Sequence, residues 1–164
     1  MEPRRRPWIA ARFVRGIEHS LGVLMLAGVA LNLANVFGRY ALGSPIFWAE
    51  EVLVGFTVWG VFLGSVLVAW RGEHLAMDLF SSRLRGAPRR ALNGLVALVL
   101  VVVCSFVALQ SWRIVVLFVE TDAVSAGAQI PKAIPHSALL VGFGLTALAV
   151  VLRIRSYLSG RFEE

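Results

Sequence analysis

Four blocks of apolar residues alternate along the chain with shorter segments that carry most of its arginines. Each block holds about twenty residues, the length that a helix needs to cross roughly 30 Å of hydrocarbon at about 1.5 Å per residue. The mean hydropathy of +0.76 agrees with this pattern. We therefore predict an all-α membrane protein with a single four-helix transmembrane domain over residues 1–164, whose spans lie near 17–37, 47–70, 91–112 and 135–152.

The second block is the most informative, because polar residues mark its beginning. Ser44 and Pro45 are predicted to open its helix, as the N-cap and the first helical residue. Glu50 and Glu51 follow near the positive end of the helix dipole, where carboxylates are favoured. The sequence thus predicts that the acids lie at the membrane boundary.

Two faces of this second helix are candidate protein contacts. With a step of about 100° per residue, Gly55 and Trp59 lie within a quarter turn of Glu51, whereas Gly60 and Gly64 lie nearly opposite. The first face combines an acid with an aromatic ring, and the second has the small-residue spacing that lets membrane helices approach closely. We expect this helix to be a central packing element.

Polar residues also mark the end of the first span. Asn32 and Asn35 lie three residues apart on one helix face, and an amide in hydrocarbon needs a hydrogen-bond partner. That face is expected either to contact protein or only to mark the aqueous boundary, and the sequence leaves both open. Arg39 follows, and it can pair with Glu50 or Glu51 across a short outer loop.

The connection between spans two and three is predicted to be a short amphipathic helix on the cytoplasmic face. Residues 73–86 are too polar to span and combine an apolar side with charged residues. Glu73, His74 and Asp78 could form a metal cluster, but no fourth ligand lies nearby in sequence. A solvated helix face is the favoured interpretation.

The third block is longer than a membrane span requires. Its helical pattern extends from Ala87 to Val119, about 33 residues or roughly 50 Å, so the helix is expected to tilt or to protrude on the outer side. The one cysteine, Cys104, lies in the middle of this block without a disulfide partner, and it is predicted to be a packing residue.

The distribution of charge predicts the orientation. The chain has 16 basic and 10 acidic residues, an excess that would suggest nucleic acid in a soluble protein, but no nucleic-acid motif is present. Thirteen basic residues precede span one, join spans two and three or follow span four, and three lie in the other connections. Because Lys and Arg are retained in the cytoplasm, both termini are predicted to be cytoplasmic. The arginine-rich start also resembles a signal peptide, but the apolar block continues past the candidate cleavage site at 28–30.

Catalytic motifs are absent from the sequence, which holds no Walker loop, dinucleotide fingerprint, Cys-x-x-Cys or Gly-x-Ser-x-Gly. His19, His74 and His136 do not form a haem pair on one helix. No enzyme activity, cofactor or metal is therefore predicted. Glu50 and Glu51 could form a proton or cation site, since acids within a membrane usually have a function. Their position at the start of the helix, near the membrane boundary, favours a structural or interfacial role instead.

Five short sequence features follow one another along the chain. In chain order they are Asn35-x-x-x-Arg39-Tyr40, Trp48-Ala-Glu-Glu51, Trp59-x-x-x-Leu63-Gly64, Gly72-x-His74-x-x-x-Asp78 and a proline-containing entry to the fourth span. Together these features resemble the small permease subunit of tripartite ATP-independent periplasmic (TRAP) transporters, the DctQ-like family. Their order and spacing, together with the predicted spans, extend the resemblance over nearly the whole chain.

The resemblance implies a multi-pass protein of the bacterial inner membrane that associates with a large permease subunit and works with a periplasmic solute-binding protein. In such systems an ion gradient drives the uptake of an organic acid, and the small subunit braces the static part of the large one. Positions with an expected interface or structural role are Asn35, Arg39, Trp48, Glu50, Glu51, Trp59, Gly60, Gly64, His74 and Asp78.

Two other functions remain open on the sequence alone. A stand-alone oligomeric channel or carrier would need polar residues along a path through the membrane, and the candidates are Thr57, Ser65, Ser105 and Thr146. The chain could also be an anchor or redox subunit of another membrane complex.

Overall fold

The computed structural model describes residues 8–71 and 87–159. Within these ranges the chain forms five helices: α1 Trp8–Ala41, α2 Ala49–Arg71, α3 Ala87–Glu120, α4 Ala133–Leu152 and α5 Ile154–Ser159. The first four are long and apolar enough to cross a membrane, which confirms the prediction of four membrane-spanning helices. The amphipathic helix predicted over residues 73–86 lies outside the described residues.

Two helices extend beyond the predicted spans. The helix α3 continues to Glu120 and has 34 residues, as the long apolar pattern after Ala87 indicates. The helix α1 begins at Trp8 rather than near residue 17, and it also has 34 residues. The segment 8–16 contains no proline and one glycine, so nothing in it breaks the backbone hydrogen bonds of the following span.

The predicted start of α2 is wrong. The helix begins at Ala49, and Ser44 and Pro45 lie in the preceding connection instead of forming its N-cap and first turn. The amide of Ser44 donates to the carbonyl of Gly38 over 3.0 Å, and the amide of Ile46 donates to Asn35 Oδ1 over 2.9 Å. These bonds to α1 hold the connection in a turn. Glu50 and Glu51 nevertheless lie in the first turn of α2, as predicted.

The four long helices lie side by side in the order α1, α2, α4, α3. The pair α3–α4 packs most extensively, followed by α2–α4 and then α1–α2. Because α4 separates α2 from α3 and α1 packs chiefly on α2, the helices form a row. Most residues of each span are consequently not buried within the chain.

The helices α2 and α4 approach each other closely at Gly142. A Cβ added to Gly142 would lie 2.5 Å from the Cβ of Phe62, so only glycine fits at this position. One residue further along α4, the ring of Phe143 lies 5.2 Å from that of Phe62. Deeper in the same interface, the hydroxyls of Ser65 and Thr146 are 3.3 Å apart.

The helix α5 and Arg153, the residue before it, contact the end of α2. The last four carbonyls of a helix have no partner within the helix itself. Two of them accept hydrogen bonds here: Tyr157 Oη donates to Ala69 O over 2.6 Å, and the guanidinium of Arg153 donates to Trp70 O. Tyr157 is fully buried in an apolar cluster with Ala69, Ala97, Ala149 and Val150. Burial raises the pKa of Tyr157 to about 12, so its phenol stays a donor at physiological pH.

Replacing Tyr157 with phenylalanine is expected to destabilise the protein by about 1–2 kcal/mol, because the buried carbonyl of Ala69 loses its partner. The raised pKa means that the phenol's contribution is fully present below its ordinary pKa near 10 and is lost as the pH rises through about 12. Thermal unfolding in detergent checks both points. Tyr40→Phe is the matched control, since the side chain of Tyr40 is 82% exposed.

Candidate functional site

Polar side chains gather at two ends of the row of helices. We call the end formed by the start of α1, the end of α2, the start of α3 and α5 the basic end, because its described residues include seven arginines and a single acid, Glu18. That acid pairs with Arg71 over 2.6 Å. We call the opposite end, formed by the α1–α2 connection and by residues 121–132, the loop end.

Glu51 links the start of α2 to the α3–α4 connection at the loop end. Its Oε2 accepts hydrogen bonds from Ser125 Oγ at 2.5 Å and from the amide of Ala128 at 2.7 Å. Its Oε1 accepts the amide of Gly127 at 2.8 Å. Both oxygens of one carboxylate thus receive donors from a loop that follows 74–77 residues later in the chain. This contact fixes the α3–α4 connection to the start of α2.

The connection itself has a defined backbone. The amide of Ser125 bonds to Ile130 O, and the amide of Lys132 bonds to Ala123 O, each over 2.9 Å. Backbone amides that converge on one point form a concave anion site, and here the anion is the chain's own carboxylate. Gly127 permits the approach, since a Cβ at this position would lie 3.0 Å from Glu51 Oε1.

The α1–α2 connection is held by two further predicted residues. Asn35 is buried, with 6% of its surface exposed, and its Oδ1 accepts the amide of Ile46. Its face of α1 therefore contacts protein, whereas Asn32 on the next turn is exposed. Arg39 lies 3.4 Å from Glu50 Oε1, and both side chains are more than half exposed. An exposed pair of this kind contributes about 1 kcal/mol or less.

The acid and aromatic face of α2 lines a groove at the loop end. The groove has a volume of about 430 Å³ and lies between α2, the start of α4 and residues 125–132, with Leu24 of α1 at its wall. Glu51, Gly55 and Trp59 share its wall, which agrees with their predicted position on one helix face. Its other lining residues are mainly apolar, so the groove offers few groups to bind a polar solute.

The small-residue face of α2 borders α1 at Gly60, which lines a groove with Gly28 and Asn32 of that helix. A Cβ at Gly60 or at Gly64 would nevertheless meet no atom within 4 Å. Trp48, in the connection before α2, is 47% exposed. The predicted roles of these three residues in assembly remain predictions.

The structure brings four of the predicted residues together at the loop end, namely Asn35, Arg39, Glu50 and Glu51. His74 and Asp78 lie outside the described residues. Within residues 8–71 and 87–159, no three His, Cys, Asp or Glu side chains are arranged to hold a metal ion. The helix-ending contacts of Tyr157 and Arg153 and the loop partners of Glu51 were not predicted. The sequence signal for the loop contact is Gly127, because glycine allows the backbone to approach another group closely.

These features define a helical membrane protein whose polar contacts join its own helices and connections at both ends. Residues 28–160 match the family described as tripartite ATP-independent periplasmic transporters, DctQ component. The chain belongs to this family, and it is a small membrane subunit of a TRAP transporter.

One of two similar proteins carries a name that supports the assignment. The chain is 28% identical over 142 residues to the ectoine TRAP transporter small permease protein TeaB of Halomonas elongata, a match that covers 87% of this chain and 72% of TeaB. It is 33% identical over 139 residues to the uncharacterized protein y4mM of Sinorhizobium fredii. That match covers 80% of this chain but only 25% of y4mM, so the chain spans about a quarter of that longer protein.

Proposed function

We propose that this chain is the static scaffold subunit of its transporter and has no catalytic or substrate-binding role of its own. It lies in the bacterial inner membrane with both termini in the cytoplasm and associates with a large permease subunit. The large subunit carries the substrate and the coupling ions, and a periplasmic solute-binding protein delivers an organic acid to it.

The observation that carries this proposal is the lack of a charged path through the spans. No Asp, Glu, Lys, Arg or His occurs between His19 and Arg39, between Glu51 and Arg71, between Arg90 and Arg113 or between His136 and Arg153. At the centre, Ser65 bonds to the carbonyl of Phe62 at 2.7 Å and contacts Thr146, so these hydroxyls satisfy each other. Ionisable groups that mark ion and proton routes in membranes are missing from this zone.

The arrangement of the helices also supports a scaffold. A row of four spans leaves long apolar surfaces on α1, α2 and α3 for another membrane protein or for lipid. The two ends of the row are held by the hydrogen bonds that Glu51 accepts and that Tyr157 donates. A row that is held at both ends and open at its sides is suited to bracing a neighbour that moves.

The distribution of charge supports the proposed orientation. The basic end holds most of the described arginines, and the loop end holds the acids Glu50 and Glu51. By the positive-inside rule, this asymmetry favours a cytoplasmic basic end and a periplasmic loop end. Cysteine accessibility to a membrane-impermeant thiol reagent tests this, with a cysteine introduced at Gln129 expected to react from outside the cell.

The principal test is an affinity purification of the tagged chain from membranes in mild detergent, followed by mass spectrometry. A large multi-pass permease recovered in near-equal amount would support the scaffold function. A stable oligomer of this chain alone that conducts solute in liposomes would overturn it in favour of a channel.

Gly64→Leu is expected to lower the yield of that complex about tenfold without unfolding the subunit. The first carbon of the new side chain would meet no atom within 4 Å, so the chain itself does not crowd it. A leucine side chain would instead prevent another helix from packing closely on the small-residue face. The measurement is the ratio of co-purified permease to tagged subunit.

Gly22→Leu on α1 is the matched control, because Gly22 also has open space around it and lies on a different helix. It should leave the ratio near that of the wild type. Equal yields from both variants and the wild type would show that the face of Gly64 does not contact the large subunit.

A further inference from the structure

The groove between α1 and α2 that Gly60 borders combines apolar and polar residues. It has a volume of about 490 Å³ and is lined by residues of these two helices alone. Two of the lining residues are polar, Asn32 of α1 and Thr57 of α2, and both are exposed. The others are apolar residues and glycines, so no ionisable side chain lines the groove. We call this surface the α1–α2 groove.

The polar residues of the α1–α2 groove lie well inside the membrane span. The segment of α1 between His19 and Arg39 holds no ionisable residue and measures about 30 Å, which matches the thickness of the hydrocarbon. Asn32 lies about 10 Å along the helix from Arg39. On α2, Thr57 lies about 9 Å along the helix from Glu51. Lipid headgroups at the membrane boundary are therefore out of reach of the amide of Asn32.

The amide of Asn32 lacks a hydrogen-bond partner within residues 8–71 and 87–159. Asn35 on the next turn accepts the amide of Ile46, but no described residue bonds to the side chain of Asn32. The hydroxyl of Thr57 donates to Leu53 O over 2.8 Å, which leaves its oxygen as an acceptor. An unpaired amide is unfavourable in hydrocarbon, because acyl chains offer neither donors nor acceptors. The α1–α2 groove therefore calls for an occupant that has hydrogen-bonding groups.

We propose that the α1–α2 groove receives a membrane-spanning helix of the large permease, which places an uncharged hydrogen-bonding side chain against Asn32. This inference rests on the proposed scaffold function. The incoming side chain is an amide or a hydroxyl, because the groove has no charge to neutralise an acid or a base. Gly28 and Gly60 lower the wall of the groove, so the backbone of the incoming helix can come close. Gly64 lies one turn beyond Gly60 on the same face of α2, so the interface continues along the small-residue spacing.

Two other occupants meet these requirements less well. An acyl chain of a lipid would fill the apolar part of the groove but would leave Asn32 unpaired. A second copy of this chain would present the same concave surface, and two facing grooves leave space between them. A different surface of the second copy could enter the groove, but such a head-to-tail contact continues into a ring or a filament. The matching family is described as a component of tripartite transporters, which favours a different subunit as the partner.

Photo-crosslinking tests the location, in membranes that contain the tagged chain and the large permease. Benzoylphenylalanine is introduced at Met25 or at Leu26, which are adjacent on α1 and are 74% and 73% exposed. Met25 lines the α1–α2 groove, whereas Leu26 points away from it and is the matched control. After irradiation, the probe at Met25 is expected to form a cross-link to the large permease, and the probe at Leu26 to form little or none.

Asn32→Leu tests the hydrogen bond, because leucine has a similar size and no polar group. It should lower the ratio of co-purified permease to tagged subunit about threefold, the effect of one hydrogen bond between membrane helices. Since no described residue bonds to Asn32, the melting temperature of the subunit purified alone should not fall. Gln110→Leu is the matched control, because it removes an exposed amide of α3 that does not line the groove. It should leave the ratio unchanged.

The outcomes separate this inference from the proposed function. If the permease co-purifies but the probe at Met25 reacts only with lipid, or no more than the probe at Leu26, the scaffold function stands and the groove is not the docking site. A cross-link from Met25 to a second copy of the chain would assign the groove to self-association instead. An unchanged ratio in Asn32→Leu would remove the hydrogen bond from the interface. If no permease co-purifies with the wild type, the proposed function and this inference both fail.

Discussion

Glu51→Gln is expected to release the α3–α4 connection and to reduce solute uptake through lost assembly. The carboxylate accepts three hydrogen bonds, from Ser125, Gly127 and Ala128. A glutamine has the same size, but its amide nitrogen is a donor and must face at least one of these donors. The remaining bonds lose the assistance of the charge, which strengthens a hydrogen bond about twofold.

The measurement is amide hydrogen exchange over residues 125–130, which should become at least about tenfold faster in the variant. Uptake and the yield of the complex should fall together, while the apparent affinity for substrate stays constant. An intact complex with altered substrate or ion dependence would contradict the scaffold function and would assign a transport role to this acid.

Glu50→Gln is the matched control for this experiment. Glu50 is the preceding residue on the same helix turn, and its side chain is 75% exposed beside Arg39 at 3.4 Å. The pair contributes little because water and salt screen it. The control should therefore exchange at the wild-type rate and support normal uptake, which separates the removal of a charge from the loss of the loop contact.

The four spans could be predicted from the sequence because few backbone conformations are stable in a bilayer. In hydrocarbon every amide and carbonyl must bond within its own segment, so each apolar block becomes one helix. The residues at which a helix begins and ends depend instead on contacts with other parts of the chain. Ser44 and Pro45 form a strong local signal for the start of a helix. The amides of Ser44 and Ile46 nevertheless bond to oxygens of α1, and the helix begins only at Ala49.

The partners of the predicted residues could not be derived in the same way. A hydropathy pattern places Glu51 at a helix mouth, but its donors lie in a connection more than 70 residues away. The order of the helices in the row is also absent from the pattern, since lipid and protein surfaces are equally apolar. The small-residue spacing of Gly60 and Gly64 illustrates this, because among the described glycines the tightest contact with another span is instead at Gly142.

Gly142→Ala is expected to be among the most destabilising single changes in the spans. The added methyl group would lie 2.5 Å from the Cβ of Phe62, and both atoms are fixed by the backbones of α4 and α2. No rotation of a side chain can relieve this overlap, so the two helices must move apart. Overpacking of this kind costs about 1–3 kcal/mol. Alanine's higher helix propensity, worth about 1 kcal/mol in water, offsets only part of it.

Gly144→Ala provides the internal comparison, because Gly144 lies two residues along the same helix and has open space around it. It should leave the melting temperature of the purified protein unchanged or slightly higher, whereas Gly142→Ala should lower it by several degrees. Since α4 lies between α2 and α3, separation at Gly142 would also weaken the whole row, and the yield of the proposed complex should fall with it. Identical melting curves for the two variants would mean that α2 and α4 lie farther apart than the contact at Phe62 requires.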